Sequence, residues 1–438
     1  MDSMDPILLN NLRMLNPFGE NEFIENGSIV IVDGHIETIS QSPPLDFEGQ
    51  VIDMHGKTVL PGMINAHTHL YSTLALGMPP PKNTPTSFVE ILQEIWWKLD
   101  LGLDQASAKA SFEAGLMDCI INGVTTVIDH HASPNYVDGS LDLLVNTAEK
   151  FGINIGICFE TSDRNGLDNF RDELNENIRA LKKYSQHPKV LPLLGLHASF
   201  TLSDESLQNI STEMKDHPEW GIHIHVAEDL ADEKDAQARG YSSVINRLDH
   251  FGLLSNRSLI VHGVFITRQD RHLLLQRGCK LIHNPSSNAN NRVGILETEI
   301  IDSLHAGLGT DGKQNNMLAE VNEGILIRAA KACEPVNYLE LLFKNNPAIA
   351  SKMFGKDFGH ICQETQADLV FYDYQPRTAI HAENFMSHIL YGLNKPCDVM
   401  SAGVFRVRDS KLIDMDAGQI LDTAQTQSQR VWKAMQKL

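Results

Sequence analysis

The period of the apolar positions changes twice along the chain. Over residues 1–58, apolar and polar positions alternate in short runs broken at Glu25-Asn26-Gly27, Val32-Asp33-Gly34-His35 and Met54-His55-Gly56. Alternation with turn-forming residues between the runs, and no 3.6-residue repeat, predicts strands and half of a small β-domain. From residue 59 onward, short apolar runs take turns with helix-length amphipathic stretches, the pattern of a parallel sheet with crossover helices. The strand signal returns over Ala367 to Tyr374, and Val404–Val407 and Lys411–Ile413 flank Arg408-Asp409-Ser410 as a hairpin. The other half of the β-domain is therefore expected from the far end of the chain. The division expected is 1–58 for the first half, 59–362 for the strand-and-helix region, and 363–438 for the second half with a terminal helix.

Eight apolar runs fall in the middle region: Val59 to His69, Val124 to Asp129, Ile153 to Glu160, Val190 to His197, Gly221 to Glu228, Ser258 to Gly263, Lys280 to Asn284 and Ala306 to Asp311. An eightfold βα repeat closes into a (β/α)8 barrel, whose active site gathers at the C-terminal ends of the strands. Polar residues do mark where strands stop, which accounts for Asn and Asp at those ends. It does not account for histidine at four of them, because an unpaired buried imidazole is costly. A functional site is the better reading.

The length of 438 residues, with 42% apolar, 7% aromatic and 21% charged residues, is that of a globular protein and excludes disordered, collagenous and coiled-coil classes. Lys and Arg number 36 against 56 Asp and Glu, a net charge of −20 that repels phosphodiester backbones and anionic lipid headgroups. Neither nucleic acid nor membrane is expected as a partner. No apolar run is long enough for a membrane span, and Met1-Asp2-Ser3-Met4-Asp5 has neither the basic nor the apolar part of a leader, so a cytoplasmic protein is expected. Six scattered cysteines without a CxxC spacing suggest buried thiols rather than disulfides or a thiolate metal site.

His67 and His69 are two apart on a predicted strand, so both imidazoles point to one face, into the barrel mouth, where together they suit one zinc ion. His223 has the same parity as His225 but lies a layer deeper, and a core histidine bonded to a neighbouring strand is the expected role. Of His130 and His131, just past a strand end, one is expected to line a substrate pocket and the other to anchor the loop.

Leu60-Pro61-Gly62-Met63-Ile64-Asn65-Ala66-His67-Thr68-His69-Leu70, His225-Val226-Ala227-Glu228, Val261-His262-Gly263, His283-Asn284-Pro285 and Gly309-Thr310-Asp311-Gly312 follow one another in an order that resembles the amidohydrolase superfamily over nearly the whole chain. Within it the sequence is similar to the one-metal branch of deaminases and chlorohydrolases. It is most similar to the SsnA-like aminohydrolases, which share strings such as Asp129-His130-His131-Ala132-Ser133-Pro134, Phe159-Glu160-Thr161-Ser162-Asp163-Arg164-Asn165-Gly166 and Trp96-Trp97. The resemblance implies a distorted (β/α)8 TIM barrel with a small β-sandwich made from both chain ends. It implies His67, His69, His225 and Asp311 as ligands of one divalent ion, zinc first, with Fe2+ or Mn2+ compatible with the same donors. Two-metal relatives carry a bridging lysine on the fourth strand, and Val190 to His197 contains none.

The resemblance also implies Glu228 as the proton shuttle, His262 as the histidine that orients the water and stabilises the developing oxyanion, and His197 as a substrate contact. His197-Ala198-Ser199 departs from the His-Ala-Pro common among relatives. His130, Trp97, Asn284 and Arg164 complete the expected substrate pocket. For Arg164 and Arg292, either a substrate carboxylate or carbonyl, or a fixed salt bridge, remains open. The Pro-rich segment from Gly77 with the helix Phe88 to Leu99 is either a lid or a subunit contact of a homodimer. Gly307-Leu308-Gly309-Thr310-Asp311-Gly312 is a literal GxGxxG, but Lys313-Gln314-Asn315-Asn316 follows, so no helix opens at its last glycine as a dinucleotide site requires.

The function expected is hydrolytic deamination of a small purine- or pyrimidine-like heterocycle by a metal-bound hydroxide. The alternatives are hydrolysis of a cyclic amide, displacement of chloride, or a non-catalytic purine-binding accessory role.

Overall fold

The computed structural model describes residues 5–438, so the Met1-Asp2-Ser3-Met4 stretch read above for a leader lies outside the described residues. Both chain ends build one nine-stranded sheet. Its order is Lys411–Leu412, Val404–Arg408, Asp398–Ser401, Leu369–Tyr372, Thr58–Pro61, Ile7–Leu15, Phe23–Val32 and His35–Ser40, with Gln50–Asp53 also paired to Ile7–Leu15. Leu369–Tyr372 lies antiparallel on Thr58–Pro61 and so joins the two halves, Leu369 opposite Pro61 and Tyr372 opposite Thr58. The edge strand His35–Ser40 returns to the residues before Leu369, where the Ile36 N–H donates to the Thr365 carbonyl at 2.9 Å. The sheet thereby curls over a core of its own, with Leu9, Leu12, Ile29, Ile31, Leu369 and Phe371 inside.

The apolar run from Val59 to His69 proves to be two strands. Thr58–Pro61 belongs to the nine-stranded sheet, and Met63–Thr68 is the first strand of the barrel. Between them Gly62 passes so close to its neighbours that an added Cβ would lie 2.3 Å from Thr125 Oγ1. Only glycine allows that crossing.

Parallel strands follow at Val124–Asp129, Asn154–Ile157, Val190–Pro192 continuing as Leu194–Ala198, Ile222–Val226, Leu259–His262, Lys280–His283 and Gly307–Leu308, giving eight with the first. The fourth is broken at Leu193: its first part pairs with the third strand and its second with the fifth. Thr161 bridges to Leu196 across that break, and Thr68 bridges to Asp311 between the first and last strands, so the barrel closes. These strands are buried on both sides, which is why they read as continuous apolar runs.

The helix Leu167–Tyr184 illustrates how the crossovers hold the strands. It buries Phe170, Glu173, Leu174, Asn177, Leu181 and Tyr184, the i, i+3, i+4 face of an amphipathic helix, and carries Asp168 in its first turn and Lys182 and Lys183 in its last, complementing the dipole. Asn177 sits where the third and fourth strands part. Its Oδ1 accepts from Phe159 N at 2.8 Å and Gly195 N at 3.2 Å, and its Nδ2 donates to Phe159 O at 2.8 Å. The terminal helix Ala417–Met435 returns to the barrel mouth, where Trp432 Nε1 donates to Leu74 O at 2.9 Å. No helix among the described residues is long and apolar enough to cross a membrane.

Candidate metal centre and active site

His67 and His69 leave the end of the first strand, His225 the fifth, and Asp311 the loop after the eighth. One ligand atom from each lies within 4.8 Å of the others. The outer nitrogens are fixed. His69 Nδ1 donates to His130 O at 2.7 Å and His225 Nδ1 to His197 O at 2.8 Å, so both Nε2 lone pairs turn inward and stand 3.2 Å apart. His67 Nδ1 meets His223 Nε2 at 2.9 Å, the core role expected of His223, which in turn contacts Cys158 Sγ at 3.5 Å. Asp311 Oδ1 lies 2.9 Å from His69 Nε2 and 3.3 Å from His67 Nε2, and Ser287 Oγ donates to its other oxygen.

Converging imidazole lone pairs repel unless a positive charge sits among them. Burial would neutralise His69, yet the hydrogen bond and charge of Asp311 lift it to about 9, while burial drives His67 down to about 3 and His225 well below the ordinary range. Burial pushes Asp311 up as well, but its bonds to His67 and His69 win and hold it well below the usual carboxylate range. Three nitrogens and one carboxylate with fixed outer partners fit a divalent cation, which would take over the charge carried by the His69 proton.

His69, His225 and Asp311 open onto a cavity of about 710 Å³, mouth included, which Glu228, His262, His197 and Trp97 also line. Glu228 follows the fifth strand. Burial raises its carboxyl, and the charge of Asp311 adds to the effect against His262. Its Oε2 is 3.4 Å from His262 Nε2, and Asn291 Nδ2 donates to Oε1 at 3.2 Å. His262 Nδ1 donates to Asn288 Oδ1 at 2.8 Å, which leaves Nε2 free to exchange a proton with Glu228. Ala227, His262 and Asp311 all take positive φ values, 48°, 71° and 55°. Left-handed backbone at three strand ends costs about 1–3 kcal/mol each, and the residue after Ala227 is the cavity-lining Glu228.

The expected substrate residues divide. His197 and Trp97 line the cavity. His130 is fully buried behind it, with Nε2 donating to His223 O at 3.1 Å and Nδ1 3.4 Å from Glu160. Asn284, just past the C-terminal end of the seventh strand, is buried against Gly309, where an added Cβ would come within 2.5 Å of its Oδ1. Close approach of this kind is what Gly307 and Gly309 of the GxGxxG string serve, and the next helix opens only at Met317. Arg164 does not line the cavity. Its Nη2 donates to Glu160 at 2.7 Å, Nη1 to Asp100 at 3.1 Å and Nε to Ser162 at 3.0 Å, and it lies over the Trp97 ring.

Several residues escaped the sequence. Ser287, Asn288 and Asn291 share one helical face with Asn284, and that i, i+3, i+4 spacing after Pro285 was the available signal. Glu160 marked a strand end without a role. Burial pushes its carboxyl up, but His197, Arg164 and His130 outweigh that and hold it far below the carboxylate range. Asp100 had no signal at all. Burial takes it up to about 7, opposed by Arg164 and aided by Glu160. The helix after Ser87 packs Phe88 and Leu92 with Trp96, Trp97, Val264 and Val293, roofing the cavity.

Comparison with known proteins places this geometry. Residues 58–404 match the model of the amidohydrolase family. The chain is similar to a 5-methylthioadenosine/S-adenosylhomocysteine deaminase of Thermococcus sibiricus, 25% identical over 386 residues that cover 86% of this chain and 88% of that one. It is similar to a 5'-deoxyadenosine deaminase of Methanopyrus kandleri, 26% identical over 419 residues, 92% and 94% of the two chains. Among solved structures, an adenosine deaminase from Xanthomonas campestris with bound zinc superposes with a TM-score of 0.83 at 20% identity, over 98% of this chain and 99% of that one. A guanine deaminase from C. acetobutylicum with guanine bound gives 0.77 at 18% identity, over 92% and 100%. With the closed eight-stranded barrel and a match over most of its length, the chain belongs to the amidohydrolase family.

Proposed function

We propose that the protein is a metal-dependent aminohydrolase that releases ammonia from a purine- or pyrimidine-like ring. The observation that carries this reading is a buried Glu228, its carboxyl raised by burial, 3.4 Å from His262 in one cavity with the inward nitrogens of His69 and His225 and the carboxylate of Asp311. His67, His69, His225 and Asp311 would hold one divalent ion, and nitrogen and oxygen donors in that number favour zinc. The ion would supply Lewis acidity and a water acidic enough to attack at neutral pH.

The chain's own residues divide the proton work. Asp311 accepts the proton of the attacking water. Glu228, whose carboxyl burial raises, delivers a proton to the ring nitrogen, which makes the adjacent carbon electrophilic. His262, with Nδ1 committed to Asn288, presents Nε2 beside the forming C–O bond and exchanges a proton with Glu228. Asp311 then passes the proton it took from water to the amino group, which leaves as ammonia, and the adduct's hydroxyl proton returns to Glu228 as the carbonyl forms. Buried aromatic side chains over the mouth keep bulk water from these transfers. The names of the similar deaminases favour an adenosine-like substrate.

The test combines metal analysis of protein purified without added metal with incubation against adenosine, 5'-deoxyadenosine, guanine, cytosine and dihydropyrimidines. About one ion per chain and stoichiometric ammonia from at least one amidine are expected. Ring opening without ammonia would overturn the reading.

A further inference from the structure

Among the described residues lining the cavity there are six carboxylates and no lysine or arginine. Four have assigned work. Glu228 and Asp311 serve the chemistry above, Asp232 accepts from Phe200 N and Ala227 N at 3.1 and 2.8 Å, and Asp229 caps the helix that starts at Leu230. Asp100 and Glu160 remain. They are 1% and 4% exposed; Arg164 is the one guanidinium or ammonium paired with either, and Glu160 also faces His130 Nδ1 at 3.4 Å and His197 Nε2 at 3.8 Å, imidazoles that burial drives toward the neutral form.

That arrangement is one positive charge short. Arg164 serves Asp100 Oδ2 and Glu160 Oε1 and gives its remaining bond to Ser162. Asp100 Oδ1 has no hydrogen-bond partner, although its residue is almost wholly buried and borders the cavity. A buried carboxylate oxygen left unpaired is costly, and a donor arriving from the cavity would remove that cost. The rings of Phe88, Trp96, Trp97 and Phe200 border the same space, and aromatic faces attract cations. An anionic group entering at this wall would meet two carboxylates whose one paired guanidinium, Arg164, is already committed to both.

We propose that the Asp100 and Glu160 wall selects heterocycles that carry a cationic arm, an ammonium or amidinium, and rejects those that carry a carboxylate or phosphate. The inference takes the ring from the deaminase reading and concerns the arm alone. Asp100 and Glu160 act as acceptors for the arm, and Arg164 holds both in place without touching it.

Calorimetry on the metal-loaded full chain carrying Glu228→Gln separates binding from turnover. The probes are N9-(2-aminoethyl)adenine, N9-(2-hydroxyethyl)adenine and N9-(carboxymethyl)adenine. The ammonium arm is expected to bind at least ~10-fold tighter than the hydroxyl arm, and the carboxylate arm weaker than both. Adding Asp100→Asn keeps the size and removes the charge, and the ammonium-to-hydroxyl preference should shrink several-fold. Equal or reversed affinities, or no binding by any of the three, overturn the proposal. Ammonia release by the wild-type chain judges the reaction separately. Ammonia with equal affinities removes only the charge selection, and ordered affinities without ammonia remove only the chemistry.

Discussion

Glu228 and Asp311 are two carboxylates in one cavity whose surroundings push them in opposite directions. Burial and a like charge raise the Glu228 carboxyl, whereas two imidazoles hold that of Asp311 below the usual carboxylate range. Glu228→Gln should therefore lower kcat by ~10² to 10⁴-fold while the metal content stays at the wild-type level, as proton-transfer groups typically contribute that much. Asp311→Asn should lower both, measured by turnover and metal analysis on the same preparation. His67 and His69 were legible because strand parity alone puts both on one face. The state of Glu160 was not, since it depends on His197, Arg164 and His130, which only the closed barrel brings around it. For Arg164 the sequence leaves a substrate contact and a fixed salt bridge equally readable, and the structure spends it on Asp100, Glu160 and Ser162.

At the level of elements, the helix Leu167–Tyr184 does more than cover the barrel. Asn177→Ala would strip partners from Phe159 N, Phe159 O and Gly195 N in the interior, a loss on the order of 3 kcal/mol or more in chemical denaturation. One turn earlier, Glu173 accepts from Ser162 N at 2.9 Å, and burial raises its carboxyl from 4.5 to about 8. The folded protein then keeps a proton that the unfolded chain releases, so stability falls as pH rises from about 4.5 to about 8. Glu173→Gln should flatten that slope, gaining on wild type by ~1–3 kcal/mol between pH 5 and 8 in Tm or denaturant midpoint. The helix itself was legible from its amphipathic period. Its buried Glu and Asn were not, because polar residues on an apolar face carry no sign of the backbone gap they fill. The breaks at Gly62 and Leu193 were hidden for a related reason: the apolar run continues across each while the pairing partner changes.

Across the whole molecule, the site draws on the first, fifth and eighth strands, so a cation bound there would stabilise the folded state against the open chain. Exhaustive chelation should lower Tm by at least ~3 °C, and zinc added back should restore it. An unchanged Tm would count against a resident ion. The terminal helix Ala417–Met435 is tied to the short helix after the first barrel strand through Trp432 and Leu74, and Arg430 reaches Asp104 at 3.0 Å. Ending the chain at residue 416 should raise KM more than it lowers metal content. The eightfold repeat and the contribution of both ends could be read from periodicity. That the last helix returns to the cavity could not, since its apolar face does not name what it covers.

The hydrogen bonds that close the barrel join His67 and His69 to Thr310 and Asp311, and the first and last members of the metal cluster are 244 residues apart. A ribosome therefore makes the first strand long before its neighbour exists. At ~5–20 residues per second the nascent chain waits on the order of 10–50 s with that strand edge unpaired and two histidines for a site. The cluster is complete only when Asp311 arrives, so an ion held by all four residues would mark that translation has passed the last barrel strand.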